Sequence, residues 1–172
     1  MDVEVAIVGA GFSGIGMAMQ LDRCGRGSYL ILEREADVGG IWRDNVYPGC
    51  ACDIPSMLYS FSFAPRVDWT RRYPSQAEIW SYLRDCAERH DLRSRIRFGW
   101  DLAEARYDDG DRSWFLRSAE GATLKARILV LATGALNRPA LPNVPGLERF
   151  QGTIVHSSRW DASVDLRNRD VA

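Results

Sequence analysis

The sequence predicts an α/β domain: a parallel sheet wound with helices and extended by a three-stranded antiparallel meander. Three observations predict it. An apolar run from Val3 to Val8 breaks off in Gly9-x-Gly11-x-x-Gly14 and passes into a helical stripe of Ile15, Ala18, Met19 and Leu21. A period of two takes over around Ile96 to Trp100 and again around Trp114 and Leu116, with Asp109-Gly110 and Glu120-Gly121 as turn signals. The stretch from Leu124 to Ala132 begins alternating and becomes wholly apolar, as a strand does when it enters the middle of a parallel sheet.

The first strand, turn and helix form the arrangement that binds the pyrophosphate of a dinucleotide, so the fold is expected to be Rossmann-like. Gly9 lets the chain leave the strand sharply, Gly11 lets the backbone approach the phosphates, and Gly14 lets the helix lie close to the sheet. Ser13 stands in the first helical turn, where free N–H groups attract negative charge. The helix should run from about Ser13 to Cys24, stopped by Gly25 and Gly27. The next strand, Tyr29 to Leu32, ends in Glu33. An acid at that position is placed to accept from adenosine ribose hydroxyls and to repel a 2′-phosphate, so this turn should take FAD or NAD, not NADP.

Between Asp37 and Phe63 lies a long loop with the glycines Gly39-Gly40, a Pro48-Gly49 turn and the aromatics Trp42, Tyr47, Tyr59, Phe61 and Phe63. Loops of this length inside a compact domain are usually functional. Gly40 permits another close backbone approach. Trp42, Tyr59 and Phe61 suit the walls of a flat aromatic ligand, and equally a local core. Asp53, flanked by Cys52 and Ile54, is expected to be partly desolvated. A helix follows: Ser75 and Glu78 make a capping box, and Ile79, Leu83, Cys86 and Ala87 make its apolar stripe. His90 ends that helix and is read as a surface residue. The apolar strand after the meander ends in Ala132-Thr133-Gly134, where the chain should again pass close to the dinucleotide.

Gly9-Ala10-Gly11-Phe12-Ser13-Gly14, Glu33, Gly39-Gly40-x-Trp42, Tyr47-Pro48-Gly49-x-x-Cys52-Asp53 and Tyr59-Ser60-Phe61-Ser62-Phe63 together resemble the amino-terminal part of a Baeyer–Villiger monooxygenase. The stretch Phe150-x-Gly152-x-x-x-His156-x-x-x-Trp160-Asp161 is similar to that family's fingerprint at every defined position. The resemblance implies an FAD-containing, NADPH-using enzyme. In that family NADPH reduces FAD, the flavin carries O₂ as a C4a-peroxide, and a ketone becomes an ester or lactone. It also implies that Ser13, Glu33, Ile41, Trp42, Arg43, Asp44, Asp53, Tyr59 and Leu102 contact or line FAD. Ala51, Cys52 and Asp53 would face the nicotinamide end of NADP. Asp53 would stand closest to the chemistry, holding an arginine from the NADP domain. Residues 1–149 are expected to form the FAD-binding segment and 150–172 a link toward an NADP-binding domain. From its residues alone, the link offers a turn at Gly152, a strand over Thr153 to His156 and a pH-sensitive group in His156.

Composition sets outer bounds. The chain has 172 residues and a formal net charge of −1, which points away from nucleic acid and anionic membranes. No apolar run approaches the length of a membrane span, and the amino terminus does not read as a signal peptide, so a cytoplasmic protein is expected. Cys24, Cys50, Cys52 and Cys86 are then expected to be free thiols, and Cys50-x-Cys52 lacks the spacing of a zinc site. The sequence holds no second Gly-x-Gly-x-x-Gly. The chain is therefore expected to be the first part of a longer enzyme, incomplete alone and prone to self-association through an uncovered apolar surface. Two alternatives stand beside this: a flavoprotein oxygenating nitrogen or sulfur, and a catalytically inactive nucleotide-binding fragment. A simple NAD dehydrogenase is disfavoured by the Gly39–Phe63 loop and by the fingerprint.

Overall fold

In a computed structural model, which describes residues 1–171, one mixed sheet runs through the molecule. Its elements are β1 (Val3–Val8), α1 (Phe12–Arg23), β2 (Tyr29–Leu32), a single-turn α2 (Ile41–Asp44), α3 (Gln76–Arg89), β3 (Ile96–Arg97), β4 (Leu102–Asp108), β5 (Ser113–Ser118) and β6 (Thr123–Leu131). The six strands lie in the order β3-β2-β1-β6-β5-β4. β3, β2, β1 and β6 run parallel, and β4, β5 and β6 form the antiparallel meander. β6 belongs to both parts: Ala126 pairs with Trp114 on one side and with Val3 on the other. The expected α/β architecture is the one observed.

Alternation along β1 feeds two cores. Val5 and Ile7 point into a cluster with Ile15 and Met19 of α1, Tyr29 and Ile31 of β2, and Leu83, Cys86 and Ala87 of α3. Ala6 and Val8 point the other way, toward Leu32, Trp100, Leu116, Leu124 and Ala126. Fully burying a side chain such as Ile15, Met19 or Leu83 stabilises the fold by roughly 1.5–3 kcal/mol each, before the entropy of ordering it is counted. The Leu83 side of α3 packs on α1 as the sequence stripe requires, and the expected α1 bounds are one residue late at each end.

Three local expectations are corrected. Ile96 to Trp100 is not a meander strand. Ile96–Arg97 is a short parallel edge strand beside β2, and Gly99 then turns the chain at φ +69°. The alternation seen in the sequence is real but serves two faces, with Ile96 in the first core and Trp100 in the second. Thr153 to His156 is not a strand either; it is an irregular segment, exposed at Thr153 and Ile154, leading into a 3-10 turn at Ser157–Arg159. Asp53 is exposed rather than desolvated: Cys52 is buried, but the side chain after it turns outward.

No helix of the described residues is long and apolar enough to cross a membrane. Cys24, Cys50, Cys52 and Cys86 are free thiols, and no cluster of metal-ligating side chains occurs among the described residues. The outer half of β6 and the chain beyond it leave Ile128, Leu131 and Leu136 exposed.

The capping box at α3 forms as expected. Ser75 Oγ accepts from the Glu78 amide, and Glu78 Oε2 accepts from the Ser75 amide at 3.2 Å. Glu78 Oε1 also accepts from the Thr70 amide and hydroxyl, both at 2.9 Å. Burial alone would raise the Glu78 carboxyl, but these donors outweigh it and hold it down at about 2 against an ordinary 4.5. A carboxylate depressed in the folded state stabilises it above the ordinary value, and that stabilisation disappears as pH falls through the folded value. Glu78→Gln is therefore expected to lower the urea midpoint at neutral pH by the equivalent of about 1 kcal/mol. The gap from wild type should close between pH 4.5 and 2. A gap that is independent of pH would contradict this origin.

Candidate nucleotide-binding site

The carboxyl ends of β1, β2 and β6 meet at one cavity of about 890 Å³. This is within the range of cofactor pockets. β1 delivers Gly9 and Gly11, β2 delivers Glu33, and β6 delivers Ala132, Thr133 and Gly134. The backbone joins these ends directly. Gly9 N–H donates to Leu32 O at 2.8 Å and Ala132 N–H to Val8 O at 2.9 Å.

The three glycines of the turn do different work. Gly9 has φ +102°, and a Cβ there would lie 2.6 Å from the Ala132 carbonyl oxygen. A Cβ on Gly14 would lie 1.8 Å from the Gly9 carbonyl oxygen, so the absence of a side chain is what lets α1 sit on the turn. Gly11 is unlike both. A Cβ there would meet nothing nearer than Gly40 Cα at 3.8 Å, so no protein contact requires a glycine. Its open side faces the cavity.

The helix start above Gly11 is built to meet an anion. The first bond of α1 runs from Ile15 N–H to Gly11 O, and no protein acceptor among the described residues takes the amides of Gly11, Phe12 or Ser13. Gly11, as N-cap, has no side chain to cap them, and the first turn carries no acidic residue. Unpaired N–H groups and the positive end of the helix dipole thus face the cavity without an internal counter-charge.

Glu33 closes the cavity at the end of β2. It is 5% exposed, yet both oxygens are engaged: Oε2 accepts from Ala10 N–H at 2.7 Å, and Oε1 from Glu35 N–H at 2.9 Å and Arg43 at 3.3 Å. The opposite wall is aromatic. Trp42 Nε1–H donates to Tyr59 OH at 3.1 Å, and their rings stand edge-on at 81° with centroids 5.5 Å apart. Phe12 meets Tyr59 and Phe61 edge-on in turn. Burial pushes the Tyr59 phenol above its ordinary value; the Trp42 hydrogen bond opposes this, and Cys52 and Asp53 add to it.

Gly9, Gly11, Ser13, Glu33, Gly40, Ile41, Trp42, Arg43, Asp44, Tyr59, Leu102, Thr133 and Gly134 all line this one cavity. Gly14 lies behind the turn. Ala51, Cys52 and Asp53 lie outside the lining, on a segment held to the start of α3 by Cys52 N–H to Pro74 O at 2.9 Å. Asp53 remains within electrostatic reach of Tyr59. Phe12, Arg34, Trp100, Asp101, Asn137 and Arg138 also line the cavity and were not singled out from the sequence. Only Phe12 carried a signal, its place inside the glycine turn.

The model for the pyridine nucleotide-disulphide oxidoreductase family matches residues 6–172. The chain belongs to that family. A Baeyer–Villiger monooxygenase of Streptomyces coelicolor is 45% identical over 170 residues, covering 99% of this chain and 33% of that protein. An FAD-binding monooxygenase of Aspergillus niger is 40% identical over 178 residues, covering 97% and 29%. Among solved structures, an oxidised steroid monooxygenase bound to NADP superposes with a TM-score of 0.83 at 37% identity, covering 94% of this chain and 32% of that one. A cyclohexanone monooxygenase from Rhodococcus sp. Phi1 bound to NADP⁺ gives 0.85 at 32% identity, covering 95% and 32%. This member of the oxidoreductase family thus spans about a third of the length of the relatives it matches.

Gly11→Ala and Gly14→Ala separate fold from site. Gly14→Ala is expected to cost about 3 kcal/mol or more through overpacking against backbone. Gly11→Ala should change the denaturation midpoint by less than the equivalent of about 1 kcal/mol, while abolishing dinucleotide binding. Equal losses of stability in the two variants would remove the distinction.

Proposed function

We propose that this chain is the FAD-binding portion of a Baeyer–Villiger-type monooxygenase that uses NADPH and O₂ to convert ketones into esters or lactones. The observation that carries the proposal is the convergence of uncapped α1 amides, the side-chain-free face of Gly11 and the Glu33 carboxylate on one cavity with an aromatic wall. The likeness to Baeyer–Villiger, steroid and cyclohexanone monooxygenases supports it. The residues fit the cofactor. The amides of Gly11, Phe12 and Ser13 would take the pyrophosphate, and Glu33 the adenosine ribose. Arg34, Trp100 and Leu102 border the adenosine end, and Trp42 and Tyr59 would flank the isoalloxazine.

When bound, FAD supplies the redox and oxygen-activating chemistry, and the protein supplies position and shielding. The α1 amides hold charge in place with no reorganisation, because strand pairing and Gly14 fix the helix. Phe12, Trp42, Tyr59 and Phe61 keep water from one wall through mutual edge contacts. We assign Asp53 to the nicotinamide side, with Ala51 and Cys52. Its exposure leaves its carboxylate free for a cationic partner outside the described contacts, and its influence on Tyr59 couples it to the flavin wall. Residues 1–149 carry the FAD site in this reading, and 150–172 the link toward an NADP-binding domain. The free thiols support a cytoplasmic location.

Purified protein mixed with FAD is expected to retain the flavin stoichiometrically through gel filtration, with its visible absorption, and Gly11→Ala to lose it. A colourless wild-type protein that takes up no added FAD would sink the proposal for this chain. A second expectation concerns the exposed side chains Ile128, Leu131 and Leu136, of which Leu131 is 65% and Leu136 72% exposed. We propose that they drive self-association. Sedimentation velocity should show a weight-average mass that rises with concentration, and a monodisperse monomer throughout would count against it.

A further inference from the structure

We propose that Arg43 is a positioning residue: it closes a ring of hydrogen bonds that holds the phosphate turn at a fixed distance from the Gly39–Gly40 wall, without itself acting as the ligand's counter-charge. Its resemblance-based role is a cofactor contact. Its geometry points elsewhere. The side chain is only 13% exposed, and four of the five guanidinium donors are committed inside the protein. Nε–H and one NH2 proton form a fork on the Asp44 carboxylate at 2.7 and 3.1 Å. NH1 donates to Glu33 Oε1 at 3.3 Å and to the Asp37 carbonyl at 2.5 Å.

Those partners come from three positions along the chain around the cavity. Glu33 follows β2, Asp37 precedes Gly39-Gly40, and Asp44 shares α2 with Arg43. Two further bonds close the ring. Ala10 N–H donates to Glu33 Oε2 at 2.7 Å, and Gly39 N–H donates to Ala10 O at 2.9 Å. Both backbone groups of Ala10, midway between Gly9 and Gly11, are thereby tied into the ring: its N–H to Glu33, which Arg43 holds, and its carbonyl to Gly39, two residues past the Asp37 carbonyl that Arg43 holds. Asp37 is anchored on its far side by Arg93 at 2.7 Å, and Trp80 Nε1–H holds the Val38 carbonyl at 2.9 Å, so the ring rests on α3 and the turn after it. Burial would pull the Arg43 guanidinium down, but Asp44, then Glu33 and Glu35, outweigh it and keep it charged.

A lysine at this position keeps the charge but not the fork. Its single ammonium cannot span Asp44, Glu33 and the Asp37 carbonyl together. This separates a positioning role from a simple charge. The ligand half of the test rests on the FAD reading, while the exchange half does not.

The experiment is amide hydrogen exchange by NMR on the full chain, comparing wild type with Arg43→Lys and Arg43→Met, together with FAD titrations of the same samples. Exchange at Ala10, Glu35 and Gly39 should accelerate by about tenfold or more in both variants, while Ile7 and Leu83 stay within about threefold of wild type. FAD affinity should fall by about tenfold or more in both, the lysine giving no rescue. Full rescue of exchange and affinity by lysine would overturn the proposal in favour of a point charge. Unchanged exchange with lost FAD binding would overturn it in favour of direct ligand contact. A wild type that binds no FAD defeats the function proposed above, and the exchange result still decides the ring. Should the variants fail to fold, the resonance of the Arg43 NH1 protons, which bond Glu33 and the Asp37 carbonyl, decides in the wild type. It is expected to be protected before FAD is added and barely shifted afterwards; rapid exchange without ligand would overturn the ring.

Discussion

The cavity depends on the contact between Gly14 and the carbonyl of Gly9. With only 1.8 Å available to a Cβ, α1 rests directly on the turn that launches it. Gly9 is itself pressed against the Ala132 carbonyl, where a Cβ would have 2.6 Å. The end of β1 is therefore clamped between a helix on one side and the end of β6 on the other. A helix raised by one methyl group would lift its first amides off the cavity floor, and the ends of β1 and β6 would part. Close packing here is the condition for the amides of Gly11, Phe12 and Ser13 to stand in the open, because it fixes where the helix axis points.

What the sequence made legible was local. The glycine turn, Glu33 at the end of β2 and the Ser75–Glu78 cap each depend on residues a few positions apart, and each appears where its spacing placed it. Long-range fits were not legible. Gly16 is needed because a Cβ would lie 2.8 Å from Phe61, and Gly39, at φ +124°, because a Cβ would lie 2.6 Å from Trp80. No spacing within either segment announces such a partner. The misassigned strand at Ile96 to Trp100 has a related cause. Alternating burial looks the same in a straight strand and in a bent segment whose two ends enter different cores, and Gly99 is what bends this one. The exposure of Asp53 was hidden for a simpler reason. Its neighbours were read as apolar and hence buried, yet Ile54 is itself 43% exposed, and only Cys52 turns inward.

The aromatic loop shows that core and wall are not competing assignments. Trp42, Phe61 and Phe63 pack against the first core, and Trp42, Tyr59 and Phe61 also line the cavity. Edge-on ring contacts and the Trp42–Tyr59 hydrogen bond hold these side chains through protein contacts. Ordering them was part of folding, so a flat ligand entering the cavity does not meet that cost again.

The charges along the cavity give it a direction. At one end stand open amides and the positive end of α1, with no acid in the first helical turn. Directly beside them stands Glu33, a carboxylate that reaches that same turn through Ala10 N–H. An acid this near a phosphate site would ordinarily weaken it. Here the Ala10 and Glu35 amides and the Arg43 guanidinium all face the carboxylate, and in a half-dry setting they neutralise most of its reach. What remains is short-range: an acceptor that a ribose hydroxyl can use and that a phosphate on the same sugar would meet as a like charge. In the reading proposed above, a dinucleotide laid along the cavity therefore has one favourable orientation, pyrophosphate at the amides and ribose at Glu33. That orientation directs its remaining ring toward Trp42 and Tyr59.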